Sequence, residues 1–325
     1  MLGHTWAVDL LREHVAGGRL RHAYLITGLQ GVGRRTLALR FAQALNCPQP
    51  VTPGEPCHTC RTCTQIERMQ HPDLSVVQAE TEGGTLKVEQ VRELQRSLSL
   101  APYQARYRVA LLLRFEEAHP SAANALLKTL EEPPAQVVLI LTAQSAEALL
   151  PTVVSRCEVL RLRTLPLETV SQGLQTRWEM PAEQANLLAH VSGGRPGFAL
   201  QINENPEWLG RRQTWLDEHR KLLSDDRVKR FAYAEKIAKD KDVLRQVLRV
   251  WSSLWHDAFL RTSGSTAPLT NPDREEEIAV LVSQLDLTSA HRIVKSLERT
   301  QDLLDSNVNT RLAVEVLMLD LPHIG

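Results

Sequence analysis

Two groups of residues have types and spacing fit for chemistry. The first is Cys47, Cys57, Cys60 and Cys63, which form the series C-x9-C-x2-C-x2-C. Two-residue gaps let neighbouring thiolates face one ion, and four thiolates complete a tetrahedral zinc site with no open position. Such a site is structural. The chain around it holds Pro48, Pro50, Pro53, Gly54 and Pro56 and few apolar residues, so a metal crosslink is what would order it. The plainer reading is four free thiols on a loop. Clustering in a reducing compartment favours metal over disulfides. His58 and His71 are spare ligands that a fourth cysteine makes unnecessary, and Cys157 is distant in sequence.

The second group is Gly28-Leu29-Gln30-Gly31-Val32-Gly33-Arg34-Arg35-Thr36. Gly28 and Gly33 have the spacing of a phosphate-cradling loop, whose glycines let backbone N–H groups turn toward a phosphate at a helix N-terminus. That chemistry also needs a lysine for the β- and γ-phosphates, then a Ser or Thr hydroxyl for Mg²⁺. Arg34 and Arg35 stand in those places. Arg34 keeps the charge without the point-like geometry. Arg35 cannot ligate a cation. Thr36 is one residue late, a turn of roughly 100° on a helix. A decayed nucleotide site is therefore expected, the bland alternative being a glycine-rich turn. An acidic pair should close the third strand to manage Mg²⁺, but that strand ends in Leu113-Arg114-Phe115-Glu116-Glu117. Glu116 and Glu117 fall beyond it and are expected to be solvated or paired with Arg34, Arg35 or another arginine.

The elements that position these residues follow from hydrophobic spacing. Short apolar strands are expected at 23–27, 74–77, 109–113, 137–142 and 158–162, with helices at 36–45, 88–98 and 122–130 between them. Alternation of this kind gives a mostly parallel sheet covered on both faces. Glu131-Glu132-Pro133-Pro134 ends its helix. Beyond Leu165-Pro166 the strand signal stops. Residues 167–203 form a small helical unit, and everything from about 206 is helical apart from a loop at 262–272. Leu244, Leu248, Trp251, Trp255 and Phe259 make one apolar face, and Val308, Leu312, Val316 and Leu319 repeat the pattern. Such stripes belong either to the core or to an interface, and at helical spacing the core is the expected place.

At 325 residues the chain should hold two or three domains. Hydrophobic residues at 43% and charged residues at 23% fit a soluble protein, and the absence of an apolar leader or span places it in the cytoplasm. A net charge of zero argues against coating nucleic acid by charge alone, while leaving room for local patches.

Residues 121–134, Ser-Ala-Ala-Asn-Ala-Leu-Leu-Lys-Thr-Leu-Glu-Glu-Pro-Pro, are similar to the signature of bacterial DNA polymerase III clamp-loader ATPase subunits, a family of AAA+ proteins. Ser155-Arg156-Cys157, His71-Pro72-Asp73 and the cysteine series fit the same family. The resemblance covers about the first 200 residues, and the rest matches in length and helical character only. It implies an α/β AAA+ domain over 1–165 carrying the zinc module, a small helical lid over 166–205 and a helical collar over 206–325. It also implies an open ring with delta and gamma/tau subunits that loads the sliding clamp onto primed DNA. Counting back from Asn124 places the family's acidic pair on Leu113 and Arg114, so both carboxylates are missing. With Arg34 and Arg35, this implies a ring member that does not turn over ATP and Mg²⁺ productively. Arg156 matches the arginine that reaches a neighbouring subunit's ATP in trans. Without the family, a salt bridge at the sheet edge would be the favoured reading. Thr142 and Arg195 match the residues that sense the γ-phosphate and are expected to be remnants. Lys128 lies near DNA or an interface, or on a solvated helix face. The competing readings are an active motor using Arg34, Thr36 and Glu116 in unusual registers, and a zinc-dependent nucleic-acid-binding module.

Overall fold

In a computed structural model of the chain, the described residues are all except Glu82, Asn307 and Gly325. They form two compact units, one of Met1–Gly173 with Gly194–Phe198, the other of Leu174–Gly193 with 199–325. The first contains α1 (Thr5–Ala16), β1 (Ala23–Thr27), α2 (Arg34–Asn46), α3 (Arg61–Glu67), β2 (Leu74–Val77), α4 (Val88–Leu98), β3 (Arg108–Leu112), α5 (Pro120–Glu131), β4 (Val137–Ala143), α6 (Pro151–Val154) and β5 (Glu158–Arg161). The unit boundaries cut α7 (Leu167–Trp178) and α9 (Pro196–Glu204), with α8 (Ala182–Val191) between them.

The strand order is β2-β3-β4-β1-β5, and every pairing is parallel. β1, β3 and β4 are buried along their whole length, which is why apolar residues run continuously through most of each strand instead of alternating. Register brings Ile26 beside Thr142, Leu112 beside Leu141 and Thr27 beside Arg161. The carboxyl ends of the strands thus share one edge, where ligands of open α/β sheets bind.

Element ends differ from expectation by one or two residues, for local reasons. Helix α2 opens at Arg34, because Gly33, at φ 109°, turns the chain directly into it. Helix α5 opens at Pro120, whose fixed φ suits the first helical position. Strand β3 stops at Leu112, and Arg114 at φ 49° leaves the extended region.

The second unit is helical: α8, the body of α9, α10 (Pro206–Ser224), α11 (Arg227–Ile237), α12 (Lys241–Thr262), α13 (Glu275–Gln284), α14 (Leu287–Asp305) and α15 (Thr310–Asp320). The first stripe is core as expected: Leu244, Leu248, Trp251 and Trp255 are buried, and Phe259 is half-buried. Each buried indole keeps its N–H bonded, Trp251 to the Trp215 carbonyl and Trp255 to His219 Nε2, both at 2.9 Å. Arg230 joins two helix ends. Its guanidinium donates to the carbonyls of Leu222, Leu223, Met318, Leu321 and Pro322, several of which end α10 and α15 without helical partners. The second stripe corrects the expectation. Val308 lies outside α15, and Leu312, Val316 and Leu319 are 58%, 45% and 53% exposed. The face of α15 that enters the core is instead Ala313, Val314, Leu317 and Met318.

Candidate functional site

The loop after β1 has the backbone of a phosphate cradle. Gly31 and Gly33 sit at φ 86° and 109°, a region costly for residues with a Cβ. Here, however, the cradle is engaged by the chain's own atoms. Gly197 N–H donates to the Gly31 carbonyl at 2.8 Å, and a Cβ on Gly31 would lie 2.7 Å from the Phe198 nitrogen. Arg195 places its guanidinium 4.5 Å from the centre of the Phe198 ring.

Arg34, at the lysine position, is buried and forms an ion pair with Glu116 at 3.8 Å. Burial pulls its pKa down, the Glu116 charge offsets part of this, and Arg114 adds to it. Arg114, at the position of a missing carboxylate, donates its backbone N–H to Thr142 Oγ1 at 3.0 Å and its Nε to Glu117 Oε1 at 2.9 Å. Gly83 N–H donates to the same Glu117 oxygen at 3.0 Å. Thr142 thus plays a structural part, fixing the left-handed turn at Arg114. Arg35 and Thr36 are exposed. Both glutamates are paired with arginine, Glu116 with Arg34 and Glu117 with Arg114.

Arg156 stands elsewhere, on the turn between α6 and β5. Its Nη2 meets Glu131 Oε1 at 2.7 Å, and its Nη1 donates to the Thr152 carbonyl at 2.8 Å. Glu131 closes α5, where a carboxylate faces the negative end of the helix dipole, so a cationic partner relieves an unfavourable placement. That misplacement was the sequence signal for the pair. Lys128 lies on the exposed face of the same helix.

The four clustered cysteines come together: one ligand atom from each lies within 4.8 Å of the others. Cys47 Sγ is 3.5 Å from Cys57 Sγ and 4.0 Å from Cys60 Sγ. Tetrahedral zinc with bonds of about 2.3 Å would hold its sulfurs about 3.8 Å apart, so the donor set fits. Backbone N–H groups of Cys57, Cys60 and Cys63 point at the preceding sulfurs at 3.3–3.4 Å. The N–H groups of Cys60 and Thr59 bring the Cys57 thiol down to about 6. His58 turns instead to Gln43 and Arg40, and His71 accepts from the Asp73 N–H. Cys157 lies outside the cluster, and burial pushes its thiol up to about 12.

Sequence reasoning missed the role of Asp73 within His71-Pro72-Asp73. Its fully buried carboxylate accepts from the N–H groups of Tyr103, Gln104 and Ala105 at 2.7–2.9 Å and from Arg108.

The family model described as "DNA polymerase III, delta subunit" matches residues 3–166, and the model of that subunit's C terminal matches 206–323. DNA polymerase III subunit delta' of Bacillus subtilis is 27% identical over 318 residues, 97% of this chain and 94% of the relative. The Escherichia coli subunit delta' is 29% identical, over 94% of this chain and 90% of its own length. Subunit tau/gamma of Haemophilus influenzae is 34% identical over 66% of this chain, which spans only 31% of that relative. A gamma subunit-related protein of Thermotoga maritima has the same fold, with a TM-score of 0.50, 16% identity, and coverage of 96% of this chain and 97% of its own. With its sheet order, its phosphate-type loop and these matches over both parts, the chain belongs to the DNA polymerase III delta subunit family.

Proposed function

We propose that the chain is the delta' subunit of a bacterial DNA polymerase III clamp loader, a ring member that does not hydrolyse ATP. One observation carries this reading. Where turnover needs a lysine, a carboxylate and a metal-binding hydroxyl, the chain has Arg34 paired to Glu116, Arg114 pinned by Thr142, and Thr36 exposed. The active-motor reading needs Glu116 and Thr36 on one metal ion, and the Arg34 ion pair speaks against it.

On this reading the partners are the delta and gamma/tau subunits, with the sliding clamp and primed DNA engaged through the assembled ring. The chain works in the cytoplasm; no helix among the described residues is long and apolar enough to cross a membrane. Residues 1–165, 166–205 and 206–325 act as ATPase-type domain, lid and collar. Zinc on Cys47, Cys57, Cys60 and Cys63 is structural. When bound it supplies a crosslink, while the sulfurs and the N–H groups aimed at them set the loop's shape. Gly28, Gly31, Gly33, Arg34, Arg35, Thr36, Thr142 and Arg195 mark the former nucleotide site. Arg156 is the catalytic contribution: a guanidinium offered to a neighbour's ATP, where it stabilises charge spreading over the γ-phosphate oxygens.

Arg156→Ala tests this in the reconstituted loader. Assembly should be unchanged while ATP turnover falls by about tenfold or more. Intact assembly with unchanged turnover would remove Arg156 from the mechanism. Calorimetry of the isolated chain with Mg-ATP should show no binding and a phosphate-release assay on the same sample no release, whereas tight binding with sustained release would restore the motor reading.

A further inference from the structure

We propose that a cleft of about 460 Å³ on the first unit, between the start of α1 and the segment leaving β5, binds single-stranded nucleic acid directly. The proposal does not depend on the reading above. The phosphate-type loop at 28–36 is not part of the cleft's lining.

Trp6 forms one wall. It lies in the first turn of α1, whose Ala7 and Leu11 fill the core, yet the residue is 50% exposed. An aromatic of this size left exposed in a cleft that two arginines also line offers a flat stacking surface. Arg161 and Arg163 line the same cleft. Both are exposed and separated by buried Leu162, so they project from the same side of an extended segment, roughly 7 Å apart along the chain. That interval suits neighbouring phosphates of an extended strand.

Neither arginine has a carboxylate within ion-pair distance among the described residues. Glu147, whose pKa is lowered chiefly by hydrogen bonds to its own backbone and to Ser145, feels Arg161 only through a minor Coulomb contribution. Two like charges at such spacing repel, and an anion placed between them reverses the sign of that energy. Thr5 and Thr164 add hydroxyl donors. Buried His4 is tied down by a 3.2 Å hydrogen bond between Nε2 and the Val32 carbonyl, and burial lowers its pKa.

An aromatic platform beside guanidinium groups is the arrangement that takes alternating bases and phosphates without sequence preference. An acidic peptide would satisfy the arginines. A single open indole face gives it no enclosed apolar anchor, whereas a base needs only that face.

The test is equilibrium binding of fluorescent oligothymidylate to the full zinc-loaded chain across a salt series. Wild type should bind with affinity that falls as salt rises. Joint Arg161→Gln and Arg163→Gln substitution should weaken binding by about tenfold or more and flatten the log K against log salt slope by about 1.4, while lysine at both positions restores the slope. Trp6→Leu should weaken binding by about tenfold and leave the slope unchanged, the signature of lost stacking. An abasic strand should bind wild type as weakly as the normal strand binds Trp6→Leu. The proposal fails if wild type does not bind, if the folded variants bind as wild type does, if the abasic strand binds equally well, or if polyglutamate competes as effectively as DNA. Circular dichroism of each variant separates lost binding from lost folding.

Discussion

Asp73 has no exposed surface and still carries its charge. Burial alone pushes its carboxyl up, but three backbone N–H groups and Arg108 outweigh this and leave it below the ordinary carboxylate range. Because the folded-state pKa is depressed, its contribution is present above about pH 4 and is lost as pH falls through the folded value. The carboxylate shapes the segment from Tyr103 to Ala105, while Arg108 spans to the Ser97 carbonyl. Asp73→Asn replaces an acceptor oxygen by a donor facing N–H groups and strands the Arg108 charge. We expect a loss of about 3 kcal/mol in urea unfolding, with faster hydrogen exchange at the amides of 103–105. Unchanged exchange there would show that the segment holds its shape without the carboxylate. The glycine loop, the arginines at 34 and 35 and the four cysteines are legible from residue type and spacing, because their chemistry is local in sequence. The role of Asp73 is not, because its partners are backbone groups some 30 residues away that carry no side-chain signature.

Among elements, the four-cysteine module has little secondary structure of its own and would depend on a crosslink. Helix α3 has 7 residues, too few to persist in water alone. The Cys60 side chain caps it by accepting the Cys63 N–H. The preceding loop touches α1 through Arg12 and Glu55 at 3.2 Å, and Gly54 lies so close that a Cβ there would meet the Arg12 carbonyl at 2.6 Å. Cys60→Ser removes a thiolate ligand while leaving a hydroxyl that can still cap α3, so it tests the crosslink apart from the cap. Bound zinc should fall well below one equivalent, and residues 47–63 should become the first site of limited proteolysis while the sheet stays folded. Full zinc content with wild-type cleavage would overturn the four-cysteine assignment. The strands were legible from their apolar runs and α4 from its spacing. The ends of α2, β3 and α5 were set by Gly33, Arg114 and Pro120, whose backbone geometry outweighs side-chain periodicity at element termini.

At the scale of the whole molecule, α15 carries more apolar surface than its own unit covers. Ala313, Val314, Leu317 and Met318 enter the core, while Leu312, Val316 and Leu319, spaced by four and three residues, share an outward face. Periodicity identified the stripe but could not say what covers it. A second apolar face that no described residue covers is the kind of patch a partner surface buries. In the clamp-loader reading that surface is a neighbouring collar, and the prediction concerns assembly and not folding. Val316→Glu with Leu319→Glu places two charges on exposed positions, so the melting temperature of the isolated chain should move by only a few degrees. Buried in a subunit interface, the same charges would lack counter-ions and weaken association by about a hundredfold. Sedimentation of the mixed subunits measures this. A stable variant that still enters the complete ring at wild-type concentration would show that the collar contact lies elsewhere and that α15 leaves its stripe to another partner.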